Sequence, residues 1–396
     1  MQAESLNILP TPPLVQESPI SDYSWIELSK SAFESNIATY RSMLQPHIGI
    51  GVVVKANAYG HGMSEISLLC EQNSDISWLF VSHLSEAIQL RNAGITKAIL
   101  VMSATISDFQ YAAQLNIDLM MSDLECIKQA HTVGVALGSP INIHLKIDTG
   151  LSRFGFFAHE AIEVIAQVQQ LPGVRLQGMY SHFSESNNSS LEYTHHQEEI
   201  FNSLLEQIKQ LNIAIPFRHL ANSAAISATT HKHVNLVRLG AGAYGIWPSE
   251  ANRQLTTQTY HDRKLTPMLS WKTKIVHIKQ IPANTYIGYN RTYITHRPTT
   301  IAILPIGYYD GYDKRLSNRA TTRIGNQYAP VIGLVGMNNT TIDISAIPGC
   351  KIGDEVTLLG NHPHIASYDF AYLTGSLNTR EMVTRLHHAI PRKITL

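Results

Sequence analysis

Charge is scarce in this chain of 396 residues: only 15% are Asp, Glu, Lys or Arg, and 30 acidic residues balance 30 basic ones. A net charge of zero leaves no electrostatic footprint for nucleic acid or for an anionic membrane surface. Cysteine is scarcer still. Cys70, Cys126 and Cys350 lie far apart and are odd in number, so neither a disulfide framework nor a metal site follows from them. No apolar run approaches the roughly eighteen residues of a membrane span. The opening stretch holds Glu4 and the prolines Pro10, Pro12, Pro13 and Pro19 but no lysine or arginine, which is unlike a signal peptide. Residues 1–21 read instead as a flexible Pro-rich extension, and the expected compartment is the cytoplasm.

The length admits two domains with a substantial core. Trp25 to Leu28 reads as a short strand, and Phe33, Ile37, Tyr40 and Leu44 then fall on one helical face. Strand tips follow near Lys55, Ser82, Met102, Met120, Asp148, Ser181, Ala221 and Arg238. Helical patterns separate them, among them Glu65–Cys70, Glu86–Ala93, Ser122–Val133, Glu160–Gln169 and Glu198–Leu211. This regular alternation predicts an α/β chain whose residues 22–259 form a (β/α)8 TIM-like barrel. A doubly wound open sheet satisfies the same strand count. After about residue 258 the pattern changes to short β-branched runs, Leu269–Ile281, Thr300–Pro305, Pro330–Val335, Thr341–Ile344 and Glu355–Leu359, with turn signals between them. A mostly β C-terminal domain over 260–396 is the expectation.

The stretch richest in chemistry is Val52-Val53-Val54-Lys55-Ala56-Asn57-Ala58-Tyr59-Gly60-His61-Gly62. An apolar strand ends abruptly at Lys55, and a desolvated lysine amine is what Schiff-base chemistry requires. A lysine that merely snorkels to solvent is the alternative for that residue alone. The fifth strand ends in His144-Leu145-Lys146-Ile147-Asp148-Thr149-Gly150-Leu151-Ser152-Arg153, the sixth in Tyr180-Ser181-His182, the seventh in Asn222-Ser223 and the eighth in Arg238-Leu239-Gly240-Ala241. Barrel enzymes gather their working residues at these strand ends, with phosphate sites after the last two strands. The start at Asn222-Ser223-Ala224-Ala225 is N-cap-like, with free N–H groups that can receive a phosphate. Gly240, Gly242 and Gly245 also spell G-x-G-x-x-G, but the domain change that follows is the wrong context for a dinucleotide fold. His195-His196 beside Glu198-Glu199 reads as a helix start rather than a metal site.

These motifs together resemble the alanine racemase family, over nearly everything from residue 22 to 396. The resemblance implies a racemase that uses pyridoxal phosphate, interconverts L- and D-alanine, and works as a homodimer on a small amino acid. It places the cofactor on Lys55, its phosphate against Tyr59, Asn222, Ser223, Gly240 and Ala241, and its phenolic oxygen against Arg153. Lys146 is the family position often carbamylated. Arg238 faces the pyridine nitrogen with His182 as its buttress; an arginine donates to that nitrogen without protonating it, which suits simple proton exchange. Tyr289, nineteen residues before Tyr308 of Gly307-Tyr308-Tyr309-Asp310-Gly311, matches the second catalytic base, reaching in from the other subunit. Arg153 and Met337 are the implied substrate contacts.

Two positions depart from the pattern. Asn338 follows Met337 where a carboxylate is usual, and Arg380 stands where the family has a tyrosine that touches the phosphate. A serine or broad-specificity racemase of the same fold is therefore an open alternative. A pyridoxal phosphate-dependent decarboxylase is a rival that lacks its usual cysteine-and-aspartate motif here. A barrel-only cofactor carrier is a rival that does not account for the second domain.

Overall fold

The computed structural model describes residues 23–261, 263–376 and 378–396. The expected N-terminal extension, 1–21, lies outside them. Eight parallel strands form a closed barrel: Gly49–Val53, Ile76–Val81, Ala98–Val101, Asp118–Met121, Ile141–Asp148, Val174–Tyr180, Phe217–Asn222 and Leu236–Leu239. Each pairs with its neighbour in sequence, and the eighth closes on the first with Val237 opposite Ile50. Closure excludes the open-sheet alternative. Helices including Met63–Gln72, Leu84–Asn92, Leu124–Leu137, Ala161–Val168 and Glu192–Gln210 cover the outside.

The barrel interior is not a uniform aliphatic fill. Val53, Trp78, Phe80, Leu100, Met120, Tyr180 and Leu236 pack together inside it. Among them sit buried His144, Lys146, His219 and Arg238. Strand periodicity explains the placement. His144 and Lys146 are two residues apart on the fifth strand, so both side chains take the inner face.

The second region is built from a six-stranded sheet, a three-stranded sheet (His277–Ile281, Thr299–Leu304, Thr340–Asp343) and a short hairpin, Tyr286–Ile287 with Tyr293–Ile294. Two boundaries differ from the sequence reading. Ser24–Ser29, counted there with the barrel, pairs instead with Leu269–Lys274 and Arg392–Thr395 in the six-stranded sheet. Trp25-Ile26-Glu27-Leu28 alternates facing residues, which fits a sheet packed on one face rather than the barrel strands buried on both. Pro330–Val335 is also not one strand. The strand Gln327–Pro330 ends where the run was to begin, and Val331 makes only an isolated bridge to Ile342.

The helix Glu250–Tyr260, capped by Ser249 through the Asn252 N–H, leads out of the barrel. No helix among the described residues is long and apolar enough to cross a membrane.

Candidate active site

A cavity of about 360 Å³ opens at the C-terminal ends of the barrel strands. That volume falls in the range of roughly 300–1,000 Å³ usual for small-molecule sites. Lys55, Tyr59, Lys146, Arg153, His182 and Asn222 line it, as do Ser223, Arg238, Gly240, Ala241 and Arg380. Residues from seven of the eight barrel strands or the loops after them, and Arg380 from the C-terminal segment, therefore meet in one place. Tyr289 and Met337 do not reach this cavity.

Lys55 opens an unusual turn. Ala56, Asn57, Ala58 and Tyr59 all have φ between 51° and 55°, one turn of left-handed helix made from non-glycine residues. Such a conformation costs roughly 1–2 kcal/mol per residue, so the surroundings must hold it. They do so from several sides. Glu86 accepts from the Ala56 N–H at 2.9 Å, and Asn57 Oδ1 accepts from the Met63 N–H at 2.8 Å. The His61 ring stacks on Tyr244 at 4.5 Å, and the Tyr244 hydroxyl donates to the Val53 carbonyl at 2.6 Å. Arg392 donates to the Gly60 carbonyl at 3.0 Å. Gly60 itself, at φ 82°, lies so close to the helix Glu381–Thr384 that a Cβ there would meet the Val383 carbonyl oxygen at 1.8 Å. This contact sets Arg380, at that helix's start, near Tyr59.

The charges are arranged around a partly desolvated amine. Burial lowers the Lys55 pKa, as do Arg153 and Arg238, while the Glu86 carboxylate opposes the shift. Lys146 is pulled down to about 7, first by burial and then by Arg238. Its amine donates to the Ile147 carbonyl at 3.0 Å. Arg238 is buried, yet among the described residues no carboxylate is in contact with it. It donates to the Ser181 carbonyl at 2.8 Å, the Leu220 carbonyl at 2.9 Å, His182 Nδ1 at 3.1 Å and His219 Nδ1 at 2.9 Å. Desolvation lowers its pKa to about 10, which still leaves it a cation at neutral pH. Burial and that cation hold His182 well below the ordinary histidine range.

At the other end, the N–H groups of Gly240 and Gly242 converge on the Ser223 hydroxyl at 2.9 and 3.4 Å. A Cβ on Gly240 would meet the Tyr59 hydroxyl at 2.7 Å. Ser223 Oγ takes both N–H groups, so the donors left here for an anionic phosphate are the Ser223 and Tyr59 hydroxyls, both of which line the cavity. One detail of the sequence expectation is corrected. The N–H groups of Ala224 and Ala225 are not free for an anion, because Asn222 Oδ1 accepts from both at 3.0 Å. The same Asn222 oxygen also accepts from the Ser186 hydroxyl at 3.1 Å, which ties down the loop ahead of the three-residue turn Ala225–Ser227.

Sequence reasoning missed His219 and Glu86. His219 was visible as a polar residue inside an apolar strand. Glu86 gave no such signal for this role: Ser82 and His83 are its near neighbours at a helix start, but Ala56 lies thirty residues away and meets it only on folding. Among the described residues no group of three His, Cys, Asp or Glu side chains is placed to hold a metal, and His195 bonds the Ala228 carbonyl.

Tyr289 and Met337 lie on the second region's surface, 74% and 56% exposed. The Tyr289 turn begins at Gly288, which packs beside Gly333 and Leu334. Met337 accepts from the Tyr309 N–H through its carbonyl at 3.1 Å. Exposed Tyr286, Tyr308 and Tyr309 belong to the same region.

Comparison with known proteins agrees across both regions. Residues 28–248 match the family described as alanine racemase, N-terminal domain, and residues 268–394 match its C-terminal domain. The alanine racemase of Methanococcus maripaludis is 35% identical over 378 residues, covering 94% of this chain and 99% of its own. That of Clostridium perfringens is 35% identical over 372 residues, covering 93% and 94%. Among solved structures, an alanine racemase of Clostridium difficile superposes with a TM-score of 0.88 at 30% identity, covering 95% of this chain and 96% of that one.

Proposed function

This chain belongs to the alanine racemase family and is an amino acid racemase; from that premise we propose that it binds pyridoxal phosphate and interconverts L- and D-alanine with two bases, Lys55 and Tyr289. The observation that carries the proposal is the single cavity that holds a partly desolvated lysine amine, a buried arginine cation and a phosphate cradle. The family is generally dependent on that cofactor, and the residues present fit it. When bound, pyridoxal phosphate supplies an aldehyde for amines and a ring that draws electron density from the substrate Cα.

The chain's own residues would do the rest. Ser223, Gly240 and Tyr59 hold the phosphate, with the Arg380 guanidinium beside them and Ala241 and Asn222 shaping the loops. Arg238 donates to the ring nitrogen without giving up a proton. Arg153 holds the phenolic oxygen and the substrate. Racemisation needs a proton taken from one face of Cα and returned on the other. Lys55 Nζ serves one face, and Tyr289 of the partner subunit serves the other with its hydroxyl. Burial that makes the Lys55 amine a better base at neutral pH suits this task. Met337 approaches the substrate from the same partner surface. The enzyme is thus a homodimer whose working unit spans two chains, in a cytoplasmic setting. We assign 22–259 to the cofactor-binding unit, less the strand Ser24–Ser29, and 260–396 to the unit that presents Tyr289. An unprotonated Lys146 amine is the form that can react with carbon dioxide, so partial carbamylation belongs to the same reading.

Incubating the purified protein and pyridoxal phosphate with L-alanine, L-serine, L-lysine and L-glutamate, and resolving the products by chiral chromatography, tests the substrate. D-alanine should dominate. Serine turned over at a comparable rate would replace alanine specificity by the broader reading, which Arg380 at the cavity favours. No turnover of any of the four would end the proposal.

A further inference from the structure

The buried Arg238 cation is not left without a counter-charge; one stands at the far end of a directed chain of hydrogen bonds. Arg238 Nη1 bonds His219 Nδ1 at 2.9 Å, His219 Nε2 bonds His144 Nδ1 at 3.0 Å, and His144 Nε2 bonds Asp118 Oδ2 at 3.1 Å. Arginine can only donate, so His219 Nδ1 must accept. His219 then carries its proton on Nε2 and donates to His144, whose Nδ1 must accept in turn. His144 is left with its proton on Nε2, and it donates to the Asp118 carboxylate. A proton on either Nδ1 would set two N–H groups against each other. Both rings are therefore neutral, and one cation is joined to one carboxylate by two imidazoles of fixed tautomer.

The surroundings isolate this row from water. His144 and His219 are both 0% exposed. Tyr180 stacks on His219 at 4.7 Å, and its ring lies 5.2 Å from the Arg238 guanidinium. Trp78 meets the His144 ring edge-on at 5.3 Å. The second oxygen of Asp118 accepts from Asn142 Nδ2 at 3.0 Å, so the acid is fixed as well. Asp118 opens the fourth strand, at the opposite end of the barrel from the cavity. Barrels usually fill this space with branched aliphatic residues. A buried polar row is worth its desolvation only when every member is satisfied, as here.

We propose that Asp118 is a remote positioning residue for Arg238, acting through His144 and His219 to fix the guanidinium that meets the cofactor ring. This rests on the reading of Arg238 as a cofactor contact. A double-substitution cycle between Asp118→Asn and Arg238→Gln tests it, read as the dissociation constant of pyridoxal phosphate from the full-length protein by equilibrium dialysis. With Arg238 present, Asp118→Asn should weaken binding about tenfold; with Gln at 238 its effect should fall below about twofold, since the coupling has lost its far end. Equal losses in both backgrounds would reduce Asp118 to an ordinary packing residue and overturn the proposal. Should Asp118→Asn fail to fold, His144→Phe runs the same cycle, keeping a ring among Trp78 and Phe217 while cutting the row. Imidazole nitrogen spectra of the cofactor-free protein give a second readout. They should show His144 and His219 neutral with the proton on Nε2, and a protonated or Nδ1–H ring at either position refutes the relay. If Arg238→Gln alone leaves cofactor affinity unchanged, the functional reading beneath the proposal fails, and the proposal with it.

Discussion

The two halves of the proposed site differ in how finished they are within one chain. At the mouth of the barrel, Arg238 and Ser223 are held by buried partners, and the turn at 56–59 that follows Lys55 is kept in a costly conformation by contacts from four directions. On the second region, Tyr289 and Met337 stand exposed beside other aromatic residues. A strained, enclosed half can hold a cofactor by itself. An exposed half acquires a geometry only against another surface. The contrast teaches that geometry within one chain brings together the residues proposed to hold a cofactor and leaves the proposed second base without a partner surface to be judged against.

Removing the enclosed half should have the largest effect. Lys55→Ala should lower racemisation by at least about 10³-fold and abolish a borohydride-reducible bond to the cofactor. Retention of that bond would move the anchor elsewhere. The exposed half should be felt next. Tyr289→Phe should cost roughly 10²-fold, unequally for L- and D-alanine, because it serves one face of Cα. Mixing refolded Lys55→Ala and Tyr289→Phe chains in equal amounts should restore about a quarter of wild-type activity, since half the dimers then carry one intact shared site. No restoration would mean that each site is built from a single chain.

A third substitution tests whether the enclosed half depends on its scaffold. Gly60→Ala should destabilise the protein by about 2 kcal/mol, measured by denaturant unfolding, through the Val383 clash and the positive φ. The same change should weaken cofactor binding, while a matched Gly349→Ala, at a positive φ with nothing near its Cβ, should spare it.

The smallest effect expected, taken per pH unit, is on the pH dependence of stability. Lys146 is pulled down to about 7 in the fold, against about 10.4 for a free lysine. Between those values the unfolded chain binds more protons than the folded one, so stability should rise with pH across that window. The burial penalty is whole below about 7 and gone above the unfolded value. Lys146→Met should flatten that rise, by at most about 1.4 kcal/mol per pH unit. An unchanged slope would mean that Lys146 is already modified, which mass spectrometry of the intact protein checks.

Much of this was legible beforehand because it is local or periodic. The eight strand tips came from apolar runs, five of them ending in the polar residues Lys55, Ser82, Asp148, Ser181 and Arg238, and strands buried on both faces leave such runs in any sequence. Lys55, Arg153 and Arg238 announced themselves as charges at those ends. The left-handed turn was not legible: Ala56, Asn57 and Ala58 carry no backbone signal for it, and its supports Glu86, Tyr244 and Arg392 are distant in sequence. Ser24–Ser29 misled for a related reason, since a strand's pattern does not say which sheet it joins.

The division between sequence and tertiary structure follows from range. Sequence alone determined the alternation of strands and helices, the change of character near residue 258 and the chemistry available at each strand end. These depend on neighbours within a turn or a strand. Only the tertiary structure decided that Arg238 is joined to Asp118 through two histidines, that Asn222 consumes the N–H groups expected to receive a phosphate, and that Tyr289 stands exposed outside its own chain's cavity. Hydrogen-bond partners and burial are properties of surfaces brought together from far along the chain, and no local pattern encodes them.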